Sequence, residues 1–186
     1  MADYKLLIGG KLVDGDFQMD VVNPATGTPF VTVARASPAQ ADQAIAAAKA
    51  GQPGWASVPY ADRQARLLVL ADAIAANAHD LARLLTLEQG KPLPEAQGEV
   101  AWTEGFLRHY ATLELSDRII QDDEAGYIAV RHRPLGVVVG IIAWNFPLLV
   151  ACWEFRHQRL QELAIGAVDG QVAFQGFVEA HFALAL

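Results

Sequence analysis

Between residues 67 and 85 apolar side chains return every three or four positions: Leu67, Leu70, Ala71, Ile74, Ala78, Leu81 and Leu85. That spacing predicts a long amphipathic helical region beginning near Tyr60. Gly90 and Pro92 follow it as helix terminators do. Upstream, Ser37-Pro38-Ala39-Gln40 has the form of a capping box with proline at the first helical position. The helix it opens places Ala41, Ala44, Ile45 and Ala48 on one face, and the 51–54 segment, rich in glycine and proline, is expected to end it. A third helix is predicted over residues 94–115, weakened in isolation by Gly98 and Gly105 and so reliant on packing.

Elsewhere the period shortens. Residues 4–13 alternate loosely around Gly9-Gly10 and predict a small hairpin. Asn23-Pro24-Ala25-Thr26-Gly27 is a turn, and Phe30-Val31-Thr32-Val33 a short strand. A second hairpin is expected over 119–133, with Ile128 and Val130 set against Arg131 and Arg133 around a polar turn at 122–126. Then comes Gly136-Val137-Val138-Val139-Gly140-Ile141-Ile142-Ala143, a β-branched run that predicts a buried parallel strand. It stops at Trp144-Asn145-Phe146-Pro147, where a helix begins. Strands interleaved with amphipathic helices give an α/β, helix-rich fold.

The 186 residues suffice for one domain or slightly more. A hydrophobic content of 53% supports a core and argues against disorder. A net charge of −7 argues against a nucleic-acid partner, whose phosphates would be repelled. Residues 134–153 carry no charged side chain and are about long enough to cross a bilayer. With Asn145 and Pro147 inside the stretch, a buried strand followed by a helix is the expected reading, and no membrane partner is expected. No secretory leader is visible, and a single cysteine suits a reducing, cytoplasmic setting.

Asn145 is open to two readings. An asparagine ahead of a helix commonly caps it, its side-chain oxygen accepting a backbone N–H, and position alone favours that. Yet the carboxyl end of a parallel strand is also where α/β sheets bind ligands. There the amide NH₂ could donate to a developing oxyanion. Cys152, the only thiol, lies in an apolar helical turn and is expected to be buried and inert. The five histidines are scattered, and no metal site is expected. Aspartates and glutamates are expected mostly on solvated helix faces, and no glycine-rich phosphate loop follows a strand. Residue chemistry alone does not name a reaction.

An ordered series of short motifs does. Asn23-Pro24-Ala25-Thr26-Gly27, Gly54-Trp55, Arg63 ahead of the Leu67–Ile74 helix, Leu87-Glu88-Gln89-Gly90-Lys91-Pro92, Arg133-Pro134-Leu135-Gly136-Val137-Val138 and Trp144-Asn145-Phe146-Pro147 occur in sequence. In that order residues 1–153 resemble the N-terminal part of the NAD(P)-dependent aldehyde dehydrogenases. The resemblance implies part of a Rossmann-type cofactor domain, and it gives Asn145 the role of the oxyanion-hole amide. It implies that Ile141, Ile142, Ala143 and Trp144 line the nicotinamide–ribose side of an NAD or NADP cleft. Ala143 stands where the family usually has proline. Phe146, Val150 and Trp153 match the face lining an apolar aldehyde tunnel. The 119–133 hairpin resembles the family's oligomerisation ribbon, implying a homo-oligomer.

Past Trp153 the pattern departs. The family continues with a lysine, a helix and a strand carrying Lys-Pro-x-Glu, whereas residues 154–186 contain no lysine. The expectation is a divergent tail, with one amphipathic helix over 155–164 and Val172, Phe174, Phe177, Val178 and Phe182 exposed. The general-base glutamate and the nucleophilic cysteine in its own motif are not found, so this chain is expected to be inactive alone. Two further expectations stand beside that one. The chain could serve as a non-catalytic association module built on the 119–133 ribbon. It could also be a poorly folded product whose one buried strand has no parallel neighbour.

Overall fold

The computed structural model describes residues 4–114, 116–132 and 136–153, and the backbone path alone of 154–155 and 163–166. Strands β1 (Leu6–Ile8) and β2 (Lys11–Val13) form the first hairpin, and β3 (Phe17–Asn23) and β4 (Thr28–Arg35) the second. Helices α1 (Pro38–Ala56), α2 (Tyr60–Ala76), α3 (Ala78–Gln89) and α4 (Leu93–Thr112) follow. The ribbon β5 (Arg118–Asp123) and β6 (Gly126–Val130) comes next, then β7 (Val138–Ile141), α5 (Pro147–Phe155) and β8 (Leu163–Gly166). The chain is α/β and helix-rich. Among the described residues three strand pairs are antiparallel, while β7 and β8 run parallel, Val138 beside Leu163 and Ile141 beside Gly166.

The core lies between α2, α3, α4 and α5. Leu67, Leu70, Ala71 and Ile74 of α2 meet Leu81, Ala82 and Leu85 of α3, Ala96, Val100, Leu107 and Ala111 of α4, and Leu148 and Cys152 of α5. Side chains of α2 hold the end of α4: Tyr60 donates to the Leu113 carbonyl at 2.6 Å, and Gln64 to the Ala111 carbonyl at 2.7 Å. Arg108 joins the same helices through Asp72 at 2.6 Å and Glu104 at 2.9 Å. Helix α4 is therefore fixed at its carboxyl end, and it carries the site residues described below.

The capping box at Ser37 is present: Gln40 N–H meets Ser37 Oγ, and Gln40 Oε1 accepts the Ser37 N–H at 3.1 Å. Gln40 also accepts the Asp16 N–H and donates to the Asp14 carbonyl at 2.8 Å, tying the helix start to the segment between β2 and β3. Both predicted hairpins form, as does the Asn23 turn, where Gly27 N–H donates to Asn23 O at 2.8 Å.

Several expectations are corrected. Strand β3 is an additional element, paired with β4 across the Asn23 turn and irregular between Val21 and Val22. Helix α1 does not stop at Gly51–Gly54 but runs through Pro53 to Ala56. Ser57 closes it, donating from Oγ to the Gly54 carbonyl at 2.6 Å, and Arg66 of α2 lies 5.5 Å from the Trp55 ring. Packing thus outweighs the weak stop signal. The long helical region divides at Asn77, which donates its side chain to Ala73 O at 2.8 Å while accepting the first bond of α3. The third helix ends at Thr112.

The most consequential corrections concern β7. It has a parallel neighbour, β8, so it is not a lone strand, and a helix over 155–164 is excluded at its end by the strand beginning at Leu163. Nor is β7 buried: Gly140 is covered, but Val139 and Ile141 are exposed, because a two-stranded sheet covers little of either face. Arg133, Pro134 and Leu135, and Val172, Phe174, Phe177, Val178 and Phe182 of the expected tail, lie outside the described residues.

Candidate functional site

Strand β7 delivers the chain to Trp144 and Asn145, and α5 begins two residues later at Pro147. A helix start leaves its first backbone N–H groups without partners inside the helix. Here a carboxylate from another helix meets them. Glu99 Oε1 of α4 accepts the Leu148 N–H at 3.0 Å and the Leu149 N–H at 3.2 Å. The negative charge also complements the positive end of the helix dipole. Asn145 is therefore not needed as the cap. Among the described residues its side-chain amide takes part in no hydrogen bond, and the residue is exposed.

The backbone of the same turn is held firmly. Gln89 Nε2, at the end of α3, donates to the Trp144 and Asn145 carbonyls, each at 2.7 Å. Lys91 Nζ donates to the Asn145 carbonyl at 3.0 Å and pairs with Glu99 Oε2. The Glu99 side chain is wholly buried and that of Lys91 is 10% exposed. Gly90 sets the geometry that sends both neighbours to this turn. It adopts φ +82°, the left-handed conformation that ends α3, and donates to Thr86 O at 2.9 Å. The ammonium of Lys91 also lies 4.1 Å from the centroid of Phe146.

Phe146, Val150 and Trp153 are spaced four and three residues apart, and all three stay partly or largely open, while Leu148, Leu149, Ala151 and Cys152 are buried. The open stripe faces aromatic side chains of α4. Trp102 lies 6.5 Å from Phe146 and Phe106 5.7 Å from Trp153, centroid to centroid. The two ring pairs make an apolar, aromatic seam between α4 and α5. At the end of β7, Ile141 is 74% exposed and Trp144 70%, with Ala143 exposed and Ile142 half-buried. An open apolar surface at the carboxyl end of a parallel strand fits a nicotinamide–ribose group. Among the described residues no glycine-rich turn is present to receive the pyrophosphate.

Cys152 is buried on the side of α5 away from that stripe. Burial pushes its thiol well above the ordinary cysteine range, and the nearby Glu99 carboxylate pushes the same way. It is a core side chain, as expected, and is unsuited to attack a carbonyl. Among the described residues no three metal-ligating side chains converge, and no described helix is long and apolar enough to cross a membrane.

Glu99, Lys91, Gln89, Trp102 and Phe106 were not assigned roles from the sequence. For Glu99 the signal was there. It stands three residues after Ala96 and four before Thr103, within the stripe that buries Ala96, Val100, Thr103 and Leu107, so it is not on a solvated face. Trp102 and Phe106, four residues apart, form a second stripe on the same helix.

Residues 13–161 match the aldehyde dehydrogenase family. The chain is 38% identical over 147 residues to a glutarate-semialdehyde dehydrogenase of Pseudomonas putida, covering 75% of this chain and 30% of that protein. Its fold superposes on PnpE in complex with nicotinamide adenine dinucleotide with a TM-score of 0.90 and 29% identity, over 100% of this chain and 40% of that one. A succinate-semialdehyde dehydrogenase from Burkholderia pseudomallei gives a TM-score of 0.87 and 30% identity, over 98% and 39%. The chain thus spans about a third of the length of the relatives it matches, and it belongs to the aldehyde dehydrogenase family.

Proposed function

We propose that this chain supplies the oxyanion and nicotinamide side of an aldehyde-oxidising site in which an aldehyde becomes a carboxylic acid. The observation that carries the reading is the side-chain amide of Asn145 at the end of β7, which bonds to no other described residue while Glu99 caps α5. When a thiolate adds to an aldehyde carbon, the carbonyl π electrons move onto oxygen. Asn145 Nδ2 donates a hydrogen bond to that oxygen, and its partial positive charge is already in place before the charge forms. Phe146, Val150 and Trp153, faced by Trp102 and Phe106, would keep water from the aldehyde. Ile141, Ile142, Ala143 and Trp144 would hold the nicotinamide end of NAD or NADP, which when bound accepts a hydride.

Within these 186 residues the only thiol is Cys152, so the isolated chain is expected to show no turnover. A test places residues 13–161 into the corresponding part of the Pseudomonas putida glutarate-semialdehyde dehydrogenase and follows NAD⁺ reduction. Asn145→Ala in that chimera should lower kcat by roughly 10²–10³ with KM little changed. An unchanged kcat would overturn the assignment of Asn145.

A second reading is favoured by the β5–β6 ribbon. Ile119, Ile120, Tyr127, Ile128 and Val130 are all exposed on it, and its outer edges pair with no other described strand. Such an edge can pair with a second copy of the chain. Size-exclusion chromatography tests this: an oligomer that dissociates when Arg131 and Arg133 are replaced by glutamate supports an association module. A monomer at every concentration refutes it.

A further inference from the structure

Asn145 can steady a charge only if its Cα–Cβ bond points the same way in every molecule. Two peptide planes meet at that Cα, one carrying the Trp144 carbonyl and the other the Asn145 carbonyl. Each plane is rigid, so fixing both carbonyl oxygens fixes φ and ψ of Asn145. Gln89 Nε2 holds both oxygens at 2.7 Å, and Lys91 Nζ holds the second at 3.0 Å. Lys91 is in turn held by Glu99, whose other oxygen grips the first N–H groups of α5. The result is one continuous brace from α3 through α4 to the start of α5, with the turn at 144–145 across its middle.

A buried ion pair is a weak source of stability, since an apolar pair of similar volume often does as well. An apolar pair could not donate to a carbonyl or accept from an amide. What the charges add here is direction, and both ends of the pair point at the backbone on either side of Phe146. We propose that Lys91 and Glu99 are positioning residues that set the orientation of Asn145, with Gln89 as the second arm of the brace. This deepens, and rests on, the reading of Asn145 as the oxyanion amide.

The experiment reads backbone order in the ¹⁵N-labelled 186-residue chain. In the unaltered protein the amides of 144–146 should have order parameters of about 0.85, the value of rigid backbone. In Lys91→Met they should fall toward about 0.6, and the Asn145 side-chain NH₂ resonances should move. Lys91→Met leaves Glu99 buried without its partner and could unfold the chain. The double variant Lys91→Met, Glu99→Gln carries no unpaired charge and should show the same loosening. Val100→Ala, beside Glu99 on α4 but without polar contact to the turn, should lower stability and leave the 144–146 amides rigid. Unchanged order and shifts at Asn145 in the double variant, or equal loosening in Val100→Ala, would overturn the proposal. Because order is read instead of turnover, this test can fail while the chimera supports Asn145, and the chimera can fail while the brace stands.

Discussion

Glu99 reaches from the middle of α4 to the start of α5, where its Oε1 lies 3.0 Å from the Leu148 amide nitrogen. That contact gives the start of α5 a cap other than Asn145. A helix start needs acceptors, and whichever side chain supplies them is committed to the backbone. With Glu99 in that role, the Asn145 amide remains open at the end of β7, where ligands meet α/β sheets.

The turn at Gly90 is where replacement should be felt first. A Cβ added there would stand 2.7 Å from Pro24 Cγ, and the residue's φ is +82°. Left-handed backbone alone costs an L-residue about 1–2 kcal/mol, and the contact with Pro24 adds to it. Gly90→Ala should therefore unfold at a lower urea concentration, by about 1–2 kcal/mol or more. It should also disturb the amide resonances of 144–145, because Gln89 and Lys91 are the two neighbours of Gly90. A variant of unaltered stability and spectrum would show that this turn does not aim them.

Cys152 makes stability depend on alkaline pH. Its thiol is raised in the folded chain by burial, reinforced by Glu99, while in the unfolded chain it titrates near its ordinary value of about 8.5. The folded form thus keeps a proton that the unfolded form releases. Stability from this group is full below about pH 8.5 and is lost as pH rises above it, by up to about 1.4 kcal/mol per pH unit. Between pH 8.5 and 10 the unfolding free energy should fall more steeply for the unaltered chain than for Cys152→Ala. Iodoacetamide should label the thiol slowly in buffer and readily in urea. Fast labelling of the folded chain at pH 8 would contradict the burial of Cys152.

Much of the local structure was legible because it rests on near neighbours. The capping box of Ser37 and Gln40, the left-handed stop at Gly90, the apolar stripe of α2 and α3, and both hairpins follow from residues a few positions apart. Strand β3 was not picked out, although Phe17-Gln18-Met19-Asp20-Val21 alternates apolar and polar, because a five-residue alternation broken at Val22 is a short signal. Its pairing with β4 made it a strand. The burial of β7 was misjudged for the converse reason: a β-branched run shows what a strand can bury, while coverage depends on distant segments. At the site, Asn145 stood out by position. Its freedom depends on Glu99, forty-six residues earlier, and no local pattern links the two.

Equilibrium urea unfolding of Asn145→Ala and Glu99→Ala, each against the unaltered 186-residue chain, tests most directly which side chain caps α5. If Glu99 does, Asn145→Ala should stay within about 0.5 kcal/mol of the unaltered protein, as replacement of an exposed side chain usually does. Glu99→Ala, which strands the buried Lys91 ammonium and two helix-start amides, should lose about 3 kcal/mol or more. A loss of about 1 kcal/mol or more for Asn145→Ala, the usual penalty for removing a helix cap, with a smaller loss for Glu99→Ala, would contradict the account and return Asn145 to a structural role.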